Sequence, residues 1–441
     1  MPSAELPTDP VRSTEPALPI RQLPRPIRRF LETEAAGGVL LLLGAAVALG
    51  WANSPWRDSY TALWATEVDL RVGTIGFQDD LHHLVNDGLM ALFFFVVGLE
   101  IKRELVAGEL RTWRTAALPA FAAVGGMAVP ALLYVAVNAG GAGADGWGIP
   151  MATDIAFAVG VVALLGDRVP PTLKLFLLTL AIVDDVGAIV VIAIFYSDGV
   201  EFDALGLAGA LLVGLVLLRR AKIVWAPAYL AGSLGVWLAV YESGVHATIA
   251  GVILGLLTPA RPLAPQSVAR EWSLDLSTEP SPSELRMMSG LARSTVSMAE
   301  RLEHDLHPLT GFVIVPLFAL ANAGVVFESD ALSGSGAGAV AFGVVLGLVV
   351  GKLAGISLFS WLAVRAGVGR LPEGSTWGQL VGIAAIAGIG FTVSLFVAGL
   401  AFDDPTLESA SKVGILVASA MAAAIGAGVL SWSCRRADAG P

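Results

Sequence analysis

The chain has 441 residues, of which 55% are hydrophobic and 15% are charged, and its formal net charge is -10. A soluble domain carries about 25% charged residues, so this composition excludes an ordinary soluble protein and is typical of an integral membrane protein. The one cysteine, Cys434, excludes a disulfide framework and disfavours a cysteine-ligated metal centre.

The N-terminal segment is polar and rich in proline. We predict that residues 1–30 form a disordered cytoplasmic tail. A signal peptide would need an apolar stretch nearer the start, so the apolar run at 37–52 is predicted to be a retained first span.

Apolar runs long enough to cross about 30 Å of hydrocarbon recur along the rest of the chain. They predict an all-α membrane protein with one transmembrane domain at 31–433, followed by a short cytoplasmic tail at 434–441. The twelve predicted spans lie at 36–53, 82–105, 115–138, 149–165, 171–196, 203–219, 223–241, 244–258, 306–326, 337–366, 376–400 and 411–432.

The loops between these spans alternate in charge. The basic set contains Arg28, Arg29, Lys102, Arg103, Arg168, Lys174, Arg219, Arg220, Arg365, Arg370, Arg435 and Arg436. The acidic set contains Asp198, Glu201, Asp203, Glu242, Glu328, Asp330, Asp403, Asp404 and Glu408. Because basic residues concentrate in cytoplasmic loops, both termini are predicted to be cytoplasmic.

Two loops have features of their own. Residues 66–79 alternate around a Gly-Thr pair, which predicts a small β-hairpin on the outer face, with an extended loop as the alternative. Residues 260–300 form the longest predicted cytoplasmic loop and are rich in proline, serine and charge.

The fifth span carries two adjacent acids, Asp184 and Asp185, at its middle. A charge inside a span costs at least about 2.5 kcal/mol on insertion scales, so each is a candidate functional residue. Adjacent helical residues project about 100° apart, so one carboxylate can face a water-filled cavity while the other meets a neighbouring helix. The alternative is a polar pair that only joins helices, although a single Asn would do this with less desolvation.

Lys352 is the one lysine inside an apolar span, and it lies too far from either end to reach the membrane surface easily. A buried ammonium needs a carboxylate partner, so an ion pair with Asp184 or Asp185 is predicted.

Two spans contain helix-breaking residues. Gly148 and Pro150 precede Thr153 and Asp154 in the fourth span, and a matching interruption surrounds Gly388, Gly390 and Thr392 in the eleventh. Interrupted spans in corresponding halves predict an inverted-repeat transporter with two discontinuous helices. The opposite charges of Asp154 and Lys352 would balance the facing helix ends.

A second polar group is predicted at the cytoplasmic side: Glu100 and Glu104 end the second span, and Glu303, His304 and His307 begin the ninth. Carboxylates beside imidazoles could attract cations and sense pH, because histidine titrates near neutrality. A solvated interface cluster is the alternative.

On the outer side, His246 begins the short eighth span and is either structural or linked to proton movement. Asp87 could line an outer vestibule, whereas His82 and His83 are predicted to be exposed interface residues.

These parts suggest a mechanism. Buried carboxylates bind a small alkali cation or a proton, and competition between the two gives antiport when access alternates. Our hypothesis assigns the cation to Asp185 and the lysine partner to Asp184. The sequence lacks the GxxxxGK[ST] nucleotide motif, so transport driven by ion gradients is expected, with no cofactor, no enzymatic activity and no nucleic-acid partner.

Other classes explain the residues less well. An intramembrane aspartyl protease draws its two acids from two helices, typically in YD and GxGD motifs, which are absent here. A sodium-coupled symporter of small organic anions could share the architecture but would need a larger substrate cavity. A passive channel is disfavoured by the buried lysine beside the carboxylates.

At these residues the chain resembles the NhaA family of sodium/proton antiporters. The matching stretches include NDGLMALFFFVVGLEIKREL, ATDIAFAVGV, LAIVDDVGAIVVIAIFY, SGVHATIAGVILG, RLEHDLHP, PLFALANAGV, GKLAGISLF and GIGFTVSLF. The resemblance implies twelve helices in the bacterial inner membrane, of which the fourth and eleventh are discontinuous and cross at mid-membrane. It also implies Na⁺ or Li⁺ exchange for protons, activation at alkaline pH, and a homodimer formed through the outer hairpin.

The resemblance also implies roles for individual residues. Those matching the ion site are Asp184, Asp185, Lys352, Thr153 and Asp154, with Asp185 as the principal cation ligand. Those matching the cytoplasmic pH-sensing cluster are Glu100, Glu104, Glu303, His304 and His307, while His246 matches a histidine affecting pH response and Asp87 an outer-funnel acid. The N-terminal tail and the 260–300 loop depart from the family pattern, which leaves the pH set-point open.

Overall fold

A computed structural model describes residues 35–72, 75–197, 199–221, 225–262, 281, 294–326 and 336–438. The predicted tail 1–30, most of the predicted loop 260–300 and residues 439–441 lie outside these ranges, so the predictions made for them stay predictions.

The described chain is mostly helical. Its first half contains α1 (Ala35–Ala52), α2 (Arg57–Trp64), α3 (Leu81–Val106), α4 (Trp113–Asn138), a 3₁₀ helix (Ala144–Met151), α5 (Ile155–Leu164) and α6 (Pro171–Phe195). The second half contains α7 (Phe202–Arg220), α8 (Ala226–Glu242), α9 (Thr248–Leu257), α10 (Met298–Asn322), α11 (Ala337–Arg365), α12 (Trp377–Ile386), α13 (Phe391–Ala401) and α14 (Pro405–Asp438).

Helices lie at all of the predicted spans in the described residues. Seven of them are long and apolar enough to cross a membrane, and the number rises to ten if each sharply bent pair is counted as one span. Two others are short, α8 with 17 residues and α9 with 10. The fold is therefore that of a multi-pass membrane protein, and the count of twelve crossings stays a prediction.

Two of the bent pairs lie where the sequence contains helix-breaking residues. The 3₁₀ helix and α5 meet at 41° across residues 152–154, and α12 and α13 meet at 45° across residues 387–390. Gly388 and Gly390 weaken helical backbone at the second break, because glycine loses more conformational entropy than any other residue on becoming helical.

The expected hairpin is present as a two-stranded antiparallel sheet, β1 (Glu67–Val72) and β2 (Ile75–Asp80), in which Glu67 pairs with Asp80. Asp80 then caps α3, because its carboxylate accepts a hydrogen bond of 2.8 Å from the His83 amide. Burial alone would raise the pKa of Asp80, but the hydrogen bonds from the His83 amide and ring outweigh burial and hold the pKa below its usual value. We refer to this end of the bundle as the hairpin end.

Most helices share one buried apolar cluster, whereas α7, α8 and α9 contribute a second, smaller cluster that includes Leu215 and Val236. Gly125 of α4 and Gly355 of α11 face each other so closely that a side chain at either position would overlap the opposite backbone. This close approach holds α11, and with it Lys352, against α4. The last helix continues beyond residue 433, where a cytoplasmic tail was predicted to begin, and Cys434 is buried in it.

Candidate functional site

The two interrupted helices touch each other at their breaks. The amide of Asp154 donates a hydrogen bond of 2.7 Å to the carbonyl of Ile389, and the hydroxyl of Thr153 lies 2.8 Å from the carbonyl of Ala387. Backbone groups that lose their partners where a helix stops must find others when buried, and here each break supplies partners for the other. The breaks are therefore one structural unit.

Asp154 caps both helices that leave this unit. Its carboxylate accepts hydrogen bonds from the Phe157 amide at 2.9 Å, from the Thr392 amide at 3.0 Å and from the Thr392 hydroxyl. A negative charge is stabilising at a helix N-terminus, and this one serves α5 and α13 together. Both carboxylate oxygens of Asp154 thus already have donors, while its predicted roles, cation ligation and charge balance, stay predictions.

Lys352 contacts the same unit from α11. Its ammonium pairs with Oδ2 of Asp184 and donates to the Thr153 hydroxyl at 3.0 Å. The Thr153 hydroxyl in turn lies 2.7 Å from the same Asp184 oxygen. All three side chains are fully buried, so the structure joins the lysine to the first aspartate and links both to the first break.

A π-helical turn, Leu346–Gly351, directly precedes Lys352. Such turns insert an extra residue into an α-helix and occur frequently at functional sites. The turn changes the direction in which the Lys352 side chain projects from α11, so it contributes to the placement of the ammonium on Asp184.

Asp185 has a different environment. It is 3% exposed, and its Oδ1 has no hydrogen-bond partner in the described part of the chain; the same holds for Oδ1 of Asp184. A buried polar oxygen without a partner is costly, so these two atoms are suited to receive a proton or a cation. Lys352 satisfies Oδ2 of Asp184, which leaves Asp185 as the less constrained carboxylate of the pair.

At the end of the bundle opposite the hairpin, Arg103 joins two carboxylates. Its guanidinium lies 3.4 Å from Glu104 of the same helix and 3.4 Å from Glu303 of α10. We call these residues the Arg103 cluster. Glu100, one turn earlier on α3, is half-buried and interacts electrostatically with both Glu303 and Asp185. The charge of Glu100 is thus felt both in the Arg103 cluster and at the buried aspartates.

The two histidines predicted for this cluster are less engaged. His304 and His307 are exposed, and within the described residues neither imidazole forms a hydrogen bond or an ion pair. The helix that carries them begins at Met298, earlier than the predicted start of the ninth span at 306. The structure therefore brings together Glu104 and Glu303 but leaves both imidazoles facing outward.

The predicted residues of the hairpin end are held by local contacts. A ring nitrogen of His246 contacts the carbonyl of Tyr196, and the Asp87 carbonyl accepts a 3.0 Å hydrogen bond from the indole of Trp237. Asp87 itself is half-buried. The prediction that His82 is exposed is wrong, because its ring is half-buried with Nε2 3.2 Å from Asn322.

Several contributors to the site were missed from the sequence: Arg103, Ser394, Ser419 and Tyr196. Ser394 binds the Ile149 carbonyl at 2.7 Å, and Ser419 of α14 accepts from the Phe391 amide at 3.3 Å. Arg103 had a signal, because it follows Glu100 by one helical turn. The serines had none, since their partners are backbone atoms distant in the chain.

A bundle of apolar helices that encloses paired carboxylates and a lysine at two interrupted helices defines a multi-pass membrane transporter. Comparison with known families agrees, since a family model described as "Na+/H+ antiporter 1" matches residues 28–430. The chain belongs to this Na⁺/H⁺ antiporter family, which consists of transporters and not of enzymes.

Curated relatives match along nearly their whole length. The chain is 50% identical to the Na⁺/H⁺ antiporter NhaA of Rhodopirellula baltica, covering 95% of this chain and 96% of the relative. It is 48% identical to NhaA 3 of Frankia alni, covering 94% of this chain and 90% of the relative. Against NhaA of Syntrophobacter fumaroxidans the identity is 47%, with 94% and 92% covered.

Proposed function

We propose that the chain exchanges cytoplasmic Na⁺ or Li⁺ for external protons by alternating access, and that the exchanged ions compete for Asp185. The observation that carries this proposal is the unpartnered, buried Oδ1 of Asp185 beside an Asp184 that is already bound to Lys352. The names of the relatives support Na⁺ and H⁺ as the exchanged ions, and Li⁺ is an addition of the proposal.

Competition follows from the chemistry of a buried carboxylate. A hard oxygen ligand suits a small alkali cation, and the same lone pairs take a proton. Burial beside a second carboxylate disfavours a site with two negative charges, so either Na⁺ or protons occupy the site, and each excludes the other. Protons load from one side, and Na⁺ displaces them when the site opens to the other.

Lys352 and Thr153 connect this competition to the backbone. When Na⁺ approaches the aspartates it weakens the attraction between Asp184 and Lys352, which also hold the Thr153 hydroxyl. Because Thr153 lies beside the Ala387 carbonyl, a change in the ion pair reaches both breaks. Two protonatable carboxylates facing one cation allow more than one proton per Na⁺, so the exchange carries net charge.

The Arg103 cluster is proposed to regulate this exchange by pH. Glu100, Glu104 and Glu303 lie at the end opposite the hairpin, and exposed His304 and His307 lie on the same helix as Glu303. Protonation of these groups alters the potential at the site through Glu100. Exchange is then activated as the pH rises.

For the arrangement in the cell we propose twelve crossings in a bacterial inner membrane, with both termini cytoplasmic and the hairpin outside. The charge alternation of the loops supports this orientation. The two-stranded sheet of β1 and β2 ends in edges that can pair with a second copy, so a homodimer through the hairpin is part of the proposal.

The test uses the full chain in proteoliposomes that carry an imposed pH gradient. Addition of Na⁺ or Li⁺ is expected to dissipate the gradient, more strongly at about pH 9 than at about pH 6, and to respond to an imposed voltage. The variant Asp185→Asn should abolish the response. The matched control Asp203→Asn, an exposed carboxylate at the start of α7, should retain it.

Absence of a response to both cations at every pH contradicts the antiporter proposal. Uptake of an organic anion that rises with inward Na⁺, without proton movement, would instead support the symporter.

A further inference from the structure

The 3₁₀ helix before the first break is held between two buried tyrosines. Tyr134 belongs to α4, and Tyr196 directly follows α6. Tyr134 is 0% exposed and Tyr196 is 7% exposed. Tyr196 ends the family-like stretch LAIVDDVGAIVVIAIFY, but the sequence assigned no role to either tyrosine, and neither has a role in the proposed exchange so far.

Tyr196 makes two hydrogen bonds to the 3₁₀ helix. Its hydroxyl donates to the Asp145 carbonyl at 2.7 Å and accepts from the Gly148 amide at 3.0 Å. Its ring also stacks on Trp147, with the centroids 6.3 Å apart. A Cβ at Gly148 would lie 2.6 Å from the Tyr196 hydroxyl, so the close contact requires glycine at this position.

Tyr134 holds the start of the same segment. Its hydroxyl donates to the carbonyl of Gly143 at 2.8 Å, and its ring and hydroxyl lie directly against Gly146. Glycine therefore lies opposite each tyrosine, so the two rings fit tightly on the segment. At the far end, Ser394 fixes the Ile149 carbonyl from the second interrupted helix.

The position of the segment relates it to the ion site. Tyr196 lies about 18 Å along α6 from Asp184, at about 1.5 Å per residue. The 3₁₀ segment packs on the end of α6, and Thr153, two residues after the segment ends, contacts Asp184. The segment therefore lies between the hairpin end and the buried carboxylates. His246 contacts the carbonyl of Tyr196, which joins the start of α9 to the same residue.

We propose that Tyr196, assisted by Tyr134, is a positioning residue that holds the 3₁₀ segment closed over the hairpin-side path to the aspartates. Opening toward the hairpin end requires the Tyr196 hydroxyl to leave Asp145 and Gly148. We call the hydrogen bonds of the two tyrosines to the 3₁₀ segment the latch. Its consequence for transport rests on the proposed function, but the latch itself does not.

The first experiment measures access to the segment without any ion flux. Cys434 is the one cysteine in the sequence, so a Cys434→Ser background with Met151→Cys gives a single reporter at the end of the segment. In the purified full chain at fixed pH without Na⁺, Tyr196→Phe should raise the rate of thiol labelling by roughly five- to tenfold, the change expected when the hydroxyl no longer holds the closed state through its bonds to Asp145 and Gly148.

The matched control is Tyr60→Phe. Tyr60 is a comparably buried tyrosine whose hydroxyl lies 2.9 Å from the Leu320 carbonyl and 3.0 Å from the Ala321 carbonyl, away from the 3₁₀ segment. Labelling at Met151→Cys should be unchanged by this control. An equal increase in both variants, or no increase with Tyr196→Phe, overturns the latch.

The second experiment compares the apparent KM for Na⁺ on the two faces of the membrane. Because Tyr196→Phe raises the population open toward the hairpin end, the KM on that face should fall several-fold while the KM on the opposite face does not fall. A merely structural defect would instead lower turnover equally from both faces, which contradicts the proposal. If the wild-type chain exchanges no Na⁺ yet labelling behaves as expected, only the proposed function fails.

Discussion

The two charged regions of the molecule differ in their access to water. At the interrupted helices, Lys352 and Asp184 are each 0% exposed and share the Thr153 hydroxyl. In the Arg103 cluster the Arg103 side chain is 42% exposed, each of its carboxylate partners is 13% exposed, and both contacts are 3.4 Å long. The same chemical pair, a cation and a carboxylate, thus occurs in a fully buried and in a partly exposed setting.

Because of this difference, the two regions are suited to different functions. Removing one partner of a buried pair leaves an uncompensated charge, whereas water and salt replace much of an exposed pair. The buried pair is therefore suited to bind an ion and transmit the event to the backbone. The Arg103 cluster, which is partly exposed, is suited to respond gradually to pH and salt.

The largest expected effect comes from breaking the buried pair. Lys352→Met leaves Asp184 without a countercharge and should destabilise the protein by about 3–5 kcal/mol, whereas Lys412→Met, which breaks a partly exposed pair with Glu408, should cost about 1 kcal/mol or less. Thermal unfolding in detergent measures both. Adding Asp184→Asn to Lys352→Met should recover part of the loss, and equal costs for the two lysines would contradict the comparison.

A smaller effect is expected at the hydroxyl shared by the ion pair. Thr153→Val keeps the side-chain shape but removes contacts with Asp184 and Lys352, which should cost about 1–3 kcal/mol. Thr179→Val is the matched control, because its buried hydroxyl bonds, among the residues that the structure describes, only the Leu175 carbonyl of the same helix. Unfolding midpoints should fall further for Thr153→Val, and Na⁺ should protect that variant less. If the two variants have the same unfolding midpoints and the same protection by Na⁺, Thr153 does not couple the ion pair to the helix breaks.

The cap of α3 lies outside both charged regions and provides a third reference. Asp80→Ala should cost about 1 kcal/mol, whereas Asp80→Asn retains most of the cap. Because the folded pKa is lowered, the carboxylate contributes in full above its ordinary pKa of 3.8, and the contribution is lost as the pH falls through the lowered pKa. Unfolding of both variants across the acid range checks this sign; a cost that grows on acidification would contradict it.

The smallest stability effect is expected in the Arg103 cluster. Arg103→Gln should cost less than about 1 kcal/mol, and the cost should vanish near 1 M salt, where the screening length is about 3 Å. The same salt series with Lys352→Met should show little change, because that pair is buried. If the stability lost in Arg103→Gln did not depend on salt, the Arg103 cluster would not differ from the buried pair in its access to water.

Much of the fold could be predicted from periodic, local signals. Apolar runs predicted the helices, and alternation around a Gly-Thr pair predicted the β1–β2 hairpin. Gly148, Pro150, Gly388 and Gly390 marked regions that do interrupt helices, because glycine and proline act on their own backbone.

The parts of the site that were missed depend on contacts between distant segments. Ser419 caps a helix from another span, and Tyr196 binds backbone atoms of the 3₁₀ segment. Contacts between segments that are distant in the chain produce no regular spacing of residues that the sequence could reveal. The exposure of His82 was mispredicted for a related reason, since Asn322, which covers it, lies far along the chain.

The central claim is that Na⁺ and protons compete for Asp185, and proton release on Na⁺ binding tests it most directly. When Na⁺ is added to the purified, weakly buffered wild-type chain, protons should appear in the medium in proportion to the Na⁺ bound. Asp185→Asn should release none, while Asp203→Asn should behave as wild type. Na⁺ binding to the wild-type chain without proton release would contradict the account.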